Sequence, residues 1–159
     1  MGLEFRNDHQ QFYNVHPKMR SPWYHFETKI RVRYAETDKM GYVYYGNYAM
    51  YYEVARVEAL RALGISYKVL ENNGVMMPVL ENWSKYIRPA KYDDLLTVRL
   101  MLKKIPGMRI TFEYEVFNEE KNLINLGSTT LVFLEKDTGK PIQVPDVILD
   151  VLKPFFNDP

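Results

Sequence analysis

Alternation of apolar and polar side chains predicts several strands in this chain. In the clearest example, Ile110, Phe112, Tyr114 and Val116 alternate with threonine and glutamate, which is the two-residue period of a half-buried strand. Weaker alternation and β-branched enrichment extend the pattern to further segments. The sequence predicts strands over residues 24–34, 75–88, 95–104, 109–117 and 123–135.

A helical pattern over residues 47–63 lies between the first two of these strands. Asn47 is a good N-cap, and Gly64 stands where a glycine ends a helix. Apolar residues occupy nearly the whole helical wheel: Tyr48, Tyr51, Tyr52, Ala55, Ala59 and Leu63 on one face, and Met50, Val54, Val57 and Leu60 on the others. A helix that is apolar all round is a buried helix, so we expect the sheet to wrap around it.

Two shorter helical segments complete the predicted elements. One covers residues 67–73, and the other begins after Pro145 and runs to about residue 155. Residues 1–22 are polar and irregular, which indicates an N-terminal tail, and residues 23–159 are expected to form one domain. An antiparallel sheet of five or six strands around one central helix is an α+β fold.

Composition narrows the classes of function. The net charge of +1 gives no reason to expect nucleic acid or an anionic membrane as a partner. The chain has no cysteine, which removes disulfides and thiolate chemistry and fits a reducing compartment. Neither a secretory h-region nor a membrane-spanning apolar run is visible, so we expect a cytoplasmic location. Zinc is disfavoured because cysteine is absent and the histidines do not cluster.

The loop between the first strand and the helix carries the candidate chemistry. Asp38 lies in this loop, close to Gly41, and seven residues before Tyr45 at the predicted helix entrance. A carboxylate that faces helix N-terminal N–H groups can promote attack on a carbonyl, because those groups stabilise the oxyanion. The structural alternative is that Asp38 closes an Asx-turn, which is the commonest use of a loop aspartate.

The same loop resembles the active-site motif of the hotdog-fold thioesterases of the 4-hydroxybenzoyl-CoA thioesterase family. The matching residues are Thr37-Asp38, Gly41, Val43-Tyr44-Tyr45, Asn47-Tyr48 and Ala55-Arg56. Segments 86–94 and 139–142 resemble further parts of the family. The resemblance implies a hotdog fold and hydrolysis of acyl-CoA or acyl-carrier-protein thioesters without a metal or organic cofactor. It also implies a homodimer, and a tetramer formed as a dimer of dimers.

The resemblance also implies roles for individual residues. Asp38 is the catalytic carboxylate, as nucleophile or general base, and the backbone amide of Tyr45 is the oxyanion donor. Glu53 is a reserve candidate for the carboxylate, although an ion pair with Arg56 is the structural alternative for it. Substrate contacts are expected from the motif and from nearby or strand-borne basic residues: Gly41, Val43, Gly46, Asn47, Arg88, Lys91, Lys103, Lys104 and Arg109.

Two other classes of function compete with hydrolysis. A non-catalytic acyl-CoA-binding module would have no need of Asp38 beside a thioester carbonyl. A hotdog dehydratase or hydratase relies on a histidine, whereas His9, His16 and His25 all precede the candidate loop. The chain has no Gly-x-Ser-x-Gly elbow and no phosphate-binding glycine motif, which disfavours a serine triad and nucleotide hydrolysis.

Overall fold

A computed structural model describes residues 22–156, so the predicted tail lies, except for its last residue, outside the described residues. The described part of the chain contains three α-helices and seven strands, joined by loops and one 3₁₀ turn. The helices are α1 (Asn47–Ala62), α2 (Tyr67–Asn72) and α3 (Asp146–Phe156). The strands are β1 (Tyr24–Arg31), β2 (Val75–Met76), β3 (Val79–Tyr86), β4 (Leu95–Leu102), β5 (Arg109–Phe117), β6 (Leu123–Val132) and β7 (Leu134–Glu135).

Five strands form one antiparallel sheet in the order β1-β4-β5-β6-β3. The two short strands β2 and β7 pair separately. This arrangement confirms the predicted α+β fold with a five-stranded antiparallel sheet and a central helix. None of the helices within residues 22–156 is long and apolar enough to cross a membrane.

Four of the five predicted strands were too long. The strand predicted over residues 95–104 ends at Leu102, and the one predicted over residues 123–135 is two strands, β6 and β7. The first predicted strand ends at Arg31 rather than at residue 34, because a 3₁₀ turn over Tyr34–Glu36 takes the chain away from the sheet. The predicted strand over residues 75–88 is two strands, β2 and β3, separated by Met77 and Pro78. Proline has no N–H to donate to a sheet, so a strand ends readily at such a residue.

The sheet has two ends that differ in what they carry. The Asp38 end consists of Arg31, Tyr86, Leu95, Phe117 and Leu123, together with the loops that follow or precede them. The Arg109 end consists of the opposite strand termini, at Tyr24, Val79, Leu102, Arg109 and Val132. An eight-residue strand such as β4 spans about 24 Å at roughly 3.4 Å per residue, which separates the two ends.

Helix α1 runs from the Asp38 end towards the Arg109 end across the inner face of the sheet. Near its C-terminus the Tyr24 hydroxyl of β1 donates a hydrogen bond to the Ala59 carbonyl at 2.8 Å. In its middle, the Tyr52 ring stacks on Tyr114 of β5 with 4.3 Å between ring centroids. Gly127 of β6 permits this packing, since a Cβ there would lie 2.2 Å from the Tyr52 ring.

Burial along α1 agrees with most of the sequence prediction. The buried residues on the predicted inner face are Tyr48, Tyr51, Tyr52, Ala55 and Ala59. Leu60, predicted for another face, is also fully buried, whereas Val54 is exposed. Seven of the sixteen residues of α1 are buried. The sheet therefore covers one face of the helix, and the predicted burial on all sides is not found in the single subunit.

Candidate active site

The loop after the 3₁₀ turn folds back on itself as a small antiparallel unit. Thr37 pairs with Val43 through a β-bridge, and the Asp38 N–H donates to the Tyr42 carbonyl at 2.7 Å. The Gly41 N–H donates to the Asp38 carbonyl at 2.9 Å, which closes the turn. Gly41 adopts φ +79°, a left-handed conformation that favours glycine, as the sequence predicted.

Hydrogen bonds hold this loop against the segment that precedes β4. The Val43 N–H donates to the Ala90 carbonyl at 2.8 Å, and Tyr42 forms a β-bridge with Lys91. Val43 and Ala90 are both buried. Val43 thus has a packing role that places the loop at the Asp38 end of the sheet.

The Asp38 carboxylate uses one of its two oxygens to shape the loop. Its Oδ1 accepts the Met40 N–H at 2.9 Å and the Tyr42 N–H at 3.3 Å, which is the Asx-turn geometry. Its Oδ2 accepts no hydrogen bond from any residue between 22 and 156, and the side chain is partly exposed. The turn therefore orients the carboxylate and leaves one oxygen available for chemistry.

The N-terminus of α1 presents unpaired N–H groups beside the loop. The N–H groups of Tyr45 and Gly46 donate to no acceptor within the described part of the chain. Such groups, with the helix dipole behind them, attract negative charge. Gly46 has an ordinary helical φ of −65°, and a Cβ there would lie 2.9 Å from the exposed Tyr44 ring, which would have to move.

The prediction that Asn47 caps α1 is wrong. Asn47 is the first helical residue and Gly46 occupies the N-cap position, with no side-chain cap. The Asn47 side-chain amide instead donates to the Glu36 carbonyl at 2.8 Å. This longer-range bond replaces the local cap because the loop brings the Glu36 carbonyl to the helix entrance, where the Tyr44 N–H also donates to it at 2.9 Å.

Tyrosine rings surround the helix entrance. Tyr45 contacts Tyr44 and Tyr86, with ring centroids 4.6 and 6.2 Å away. Tyr86 also contacts Tyr48 at 5.5 Å, and its hydroxyl donates to the Tyr45 carbonyl at 3.3 Å. Tyr86 belongs to edge strand β3, so this cluster joins the helix entrance to that edge of the sheet.

The structure shows no ion pair between Glu53 and Arg56, which was the structural alternative for Glu53. Glu53 is exposed, whereas Arg56 is buried, and its Nε has no hydrogen-bond partner among residues 22–156. Arg56 lies beside two tyrosines: burial raises the pKa of Tyr67 to about 12, and the charge of Arg56 partly opposes that rise. Burial likewise raises the pKa of Tyr114, again opposed by Arg56.

Glu36 is a buried carboxylate that the sequence did not single out. Its two oxygens accept hydrogen bonds from the Tyr51 hydroxyl at 2.7 Å and from the Arg33 side chain at 2.6 Å. The sequence signals were its position two residues before Asp38 and three after Arg33, and the resemblance of Glu36-Thr37-Asp38 to the family motif. Among the described residues, no group of three or more histidine, aspartate or glutamate side chains is placed to hold a metal ion.

The predicted basic contacts fall into two groups. Arg88 and Lys91 lie at the Asp38 end, where Lys91 pairs with Tyr42 of the loop. The remaining three lie at the Arg109 end, where they line a cleft of about 340 Å³ with Thr111 and Glu113. These three are Lys103, Lys104 and Arg109. Lys103 forms an ion pair with Glu113 at 2.5 Å, so part of its charge is already neutralised.

Comparison with known proteins places this geometry in a family. The model of the thioesterase-like superfamily matches residues 32–152. The acyl-CoA thioester hydrolase YbgC of Escherichia coli is 30% identical over 128 residues, which are 80% of this chain and 96% of that protein. The crystal structure of a DHNA-CoA thioesterase from Staphylococcus aureus is 40% identical with a TM-score of 0.73, over 75% of this chain and 80% of that one.

A more distant structure shares the fold. The 1,4-dihydroxy-2-naphthoyl-CoA thioesterase Slr0204 from Synechocystis superimposes with a TM-score of 0.76 at 22% identity, over 80% of this chain and 95% of that chain. The family match covers the Asp38 loop, α1 and four of the five strands of the sheet, β3 to β6, and β1 lies before it. The chain therefore belongs to the thioesterase-like superfamily of hotdog-fold thioester hydrolases.

Proposed function

We propose that this chain hydrolyses acyl-CoA thioesters to a carboxylic acid and CoA. In the proposed site, Asp38 is the catalytic carboxylate and the Tyr45 N–H is the oxyanion donor. The main support for the proposal is that Asp38 Oδ2 accepts no hydrogen bond from the described residues. This oxygen belongs to a loop that lies beside the unpaired N–H groups at the start of α1. The names of the E. coli and S. aureus relatives support CoA thioesters as the substrate class.

The Tyr45 amide would stabilise the charge that develops on the thioester oxygen. Attack on a carbonyl carbon converts its oxygen to an oxyanion, and a preorganised N–H lowers the barrier by stabilising that charge. The Gly46 N–H is a second donor in the same helix turn. No step of the proposed reaction uses a metal or an organic cofactor, since water and the groups of this chain suffice.

Two routes use the same placement of Asp38. As a nucleophile, the carboxylate forms a bond to the thioester carbon and the C–S bond breaks, which gives a mixed anhydride and CoA thiolate; water then cleaves the anhydride. As a base, Asp38 takes a proton from the water that attacks the same carbon. The C–S bond of the resulting tetrahedral intermediate then breaks, and the CoA thiolate takes that proton from Asp38. Acid quenching during turnover separates these routes, because an acyl adduct on the peptide that contains residue 38 forms only in the first.

A thiol-release assay over short, medium, long and aromatic acyl-CoAs tests the proposed activity. The chain contains no cysteine, so a thiol reagent reports the released CoA without protein background. We expect turnover of at least one acyl class. Binding of acyl-CoA without thiol release would instead identify a binding module. Turnover restricted to acyl-carrier-protein thioesters would replace CoA by the carrier protein as the thiol half of the substrate.

We also propose that Arg88 and Lys91 contact the phosphates of CoA. Both are exposed and lie at the Asp38 end, and Lys91 is held by the bridge to Tyr42. A CoA bound there would keep its thioester close to the helix entrance. The three basic residues at the Arg109 end are about 24 Å away along the strands, which favours the nearer pair in the same subunit.

We further propose a homodimer in which two copies pair along β3, with a tetramer as a pair of such dimers. Every residue of β3 except Ser84 is exposed, although the strand is rich in apolar side chains, including Leu80 and Trp83. An exposed apolar edge strand invites pairing with another strand. The Tyr86–Tyr45 contact would then place the helix entrance beside the second subunit.

Light scattering tests this assembly. We expect a mass of at least twice 18.9 kDa at micromolar concentration, and dissociation in the Trp83→Lys variant. Val54→Lys provides a matched control, because Val54 is also an exposed apolar residue but lies on α1. A wild-type mass of one chain would rule out the proposed dimer.

A further inference from the structure

Glu36 connects the catalytic loop to helix α1 through both its side chain and its backbone. Its side-chain Oε2 accepts the Tyr51 hydroxyl at 2.7 Å, and its carbonyl accepts the Asn47 side-chain amide at 2.8 Å. Tyr51 and Asn47 both belong to α1, one turn apart. The Tyr44 N–H also donates to the Glu36 carbonyl at 2.9 Å. The position of Tyr44, the residue just before Tyr45, therefore depends on the same carbonyl.

The far side of Glu36 is held by Arg33. The Arg33 backbone N–H donates to Oε2 at 2.9 Å, and its side-chain Nε donates to Oε1 at 2.6 Å. Glu36 is only 5% exposed, whereas the Arg33 side chain is 71% exposed. The carboxylate is therefore surrounded by donors and shielded from solvent, which makes its hydrogen bonds strong and directional.

The two carboxylates of this loop have different surroundings. Both oxygens of Glu36 accept hydrogen bonds from Tyr51 and Arg33, whereas Asp38 Oδ2 accepts none from the described residues. Burial opposes ionisation of Glu36, but its bonds to the Arg33 backbone, Tyr51 and the Arg33 side chain outweigh burial and lower its pKa. Burial is the largest cause that raises the pKa of Tyr51, and the neighbouring Glu36 carboxylate raises it further. The Tyr51 hydroxyl therefore stays protonated and donates its hydrogen bond.

We propose that Glu36 is a positioning residue that fixes Asp38 and the Tyr45 N–H relative to each other by joining the loop to α1. This inference rests on the proposed roles of Asp38 and Tyr45. Glu36 takes no part in proton transfer, because Tyr51 and Arg33 occupy its oxygens. Misplacement of reacting groups by about 1 Å can cost roughly 10²-fold in rate, so loss of this connection should lower kcat and leave KM nearly unchanged.

Tyr51→Phe and Tyr24→Phe form a matched pair of tests. Each removes one hydroxyl whose buried hydrogen bond involves α1: Tyr51 reaches Glu36 at 2.7 Å, and Tyr24 reaches the Ala59 carbonyl at 2.8 Å. Only the first bond involves the catalytic loop. Glu36→Ala and Glu36→Gln extend the series, because glutamine keeps the side-chain length and can still accept the Tyr51 hydroxyl.

The first measurement is amide hydrogen exchange in the peptide over residues 36–45, which does not depend on activity. We expect Tyr51→Phe and Glu36→Gln to accelerate exchange there, because the Asp38, Val43 and Tyr44 N–H groups are bonded only while the loop stays folded. Tyr24→Phe should leave that peptide unchanged. Equal exchange in Tyr51→Phe and Tyr24→Phe would overturn the positioning role, whatever the enzyme hydrolyses.

The second measurement is the split between kcat and KM with an acyl-CoA that the wild type hydrolyses. We expect kcat to fall about 10²-fold in Glu36→Ala and roughly tenfold in Tyr51→Phe, with partial recovery in Glu36→Gln and no loss in Tyr24→Phe. Faster loop exchange with unchanged kcat would show that the connection does not position the reacting groups, and would overturn the proposal.

The two proposals fail in different ways. If Asp38→Asn keeps more than a tenth of wild-type kcat, the catalytic assignment of Asp38 is wrong, and the exchange data still decide whether Glu36 holds the loop on α1. If Asp38→Asn is inactive while Glu36→Ala retains full kcat, the catalytic assignment stands and the positioning role of Glu36 is wrong.

Discussion

The two ends of the five-stranded sheet carry similar residue types with different surroundings. Both ends have exposed basic residues and a glycine-containing loop. At the Asp38 end the loop is bonded to the sheet and to the start of α1, and the N–H groups of Tyr45 and Gly46 remain unpaired. At the Arg109 end, Lys103 is paired with Glu113, and α1 ends with its carbonyl groups nearby, as the Tyr24–Ala59 bond shows.

The direction of α1 accounts for this difference. A helix N-terminus carries partial positive charge and unpaired donors, whereas a C-terminus carries partial negative charge and unpaired acceptors. We therefore expect an oxyanion to be stabilised at the Asp38 end and disfavoured at the other. The following experiments test whether chemistry and substrate binding are confined to that end.

Asp38→Asn should have the largest effect. The amide keeps the shape of the side chain but is neither a nucleophile nor a base, so we expect kcat to fall by about 10²–10⁴-fold with the fold intact. Steady-state thiol release measures the change. Glu53→Gln is the matched control, since Glu53 is an exposed carboxylate on α1; a larger loss in Glu53→Gln than in Asp38→Asn would transfer the catalytic role to Glu53.

Gly46→Val should rank second. Its Cβ would lie 2.9 Å from the Tyr44 ring, and crowding there should displace the neighbouring Tyr45 N–H. Loss of an oxyanion donor costs about 10²–10³-fold in kcat. At the Arg109 end, Gly107→Val should have little effect on kcat, because a Cβ at Gly107 meets nothing closer than 3.9 Å.

Tyr45→Phe distinguishes the amide of Tyr45 from its phenol. The side chain is 61% exposed and the proposed donor is the backbone N–H, so we expect kcat within about tenfold of wild type, less than the loss of a donor. Comparison with Gly46→Val under the same assay checks the order. The reverse order of kcat values would mean that the phenol takes part in the reaction.

Removal of the basic residues should affect KM more than kcat. Arg88→Ala combined with Lys91→Ala should raise KM by about three- to tenfold, with a weaker effect at high salt, since exposed charge pairs contribute roughly 0.2–1 kcal/mol each. Lys103→Ala combined with Lys104→Ala is the matched double variant at the Arg109 end. If that variant raises KM more, CoA phosphates bind at the Arg109 end.

Stability at low pH should report the state of Glu36. Its folded-state pKa lies below the ordinary value of 4.5, so its ionised form stabilises the fold above pH 4.5 and this contribution is lost as pH falls below that value. Glu36→Gln should lower the free energy of unfolding by about 1–3 kcal/mol at pH 7. The difference from wild type should shrink on acidification in urea titrations; a constant difference down to pH 2 would contradict the depressed pKa.

The sequence predicted the elements well where local periodicity determines them. The strand over Arg109–Phe117 has the predicted bounds, and α1 differs by one residue at its end. Errors occurred where contacts distant in sequence override local preference. Asn47 has the propensity of an N-cap, but the loop brings the Glu36 carbonyl within 2.8 Å of its side chain, and that bond determines its role.

The candidate site was predicted in part. The Asp38–Gly41 turn follows from residue types, because aspartate closes an Asx-turn and glycine adopts positive φ. The burial of Glu36 could not be predicted, since its partner Tyr51 is fifteen residues away and an exposed glutamate has the same sequence pattern. The separation of Arg88 from Arg109 depends on strand register, which the sequence did not specify.

A crystal structure of Asp38→Asn with an intact acyl-CoA would show whether the thioester lies between residue 38 and the Tyr45 N–H, because the variant should bind substrate without consuming it. We expect the thioester oxygen about 2.7–3.1 Å from the Tyr45 nitrogen, with the side chain of residue 38 facing the carbonyl carbon and the phosphates near Arg88 and Lys91. A thioester bound beside Glu53, or in the cleft at the Arg109 end, would contradict the proposed roles of Asp38 and Tyr45.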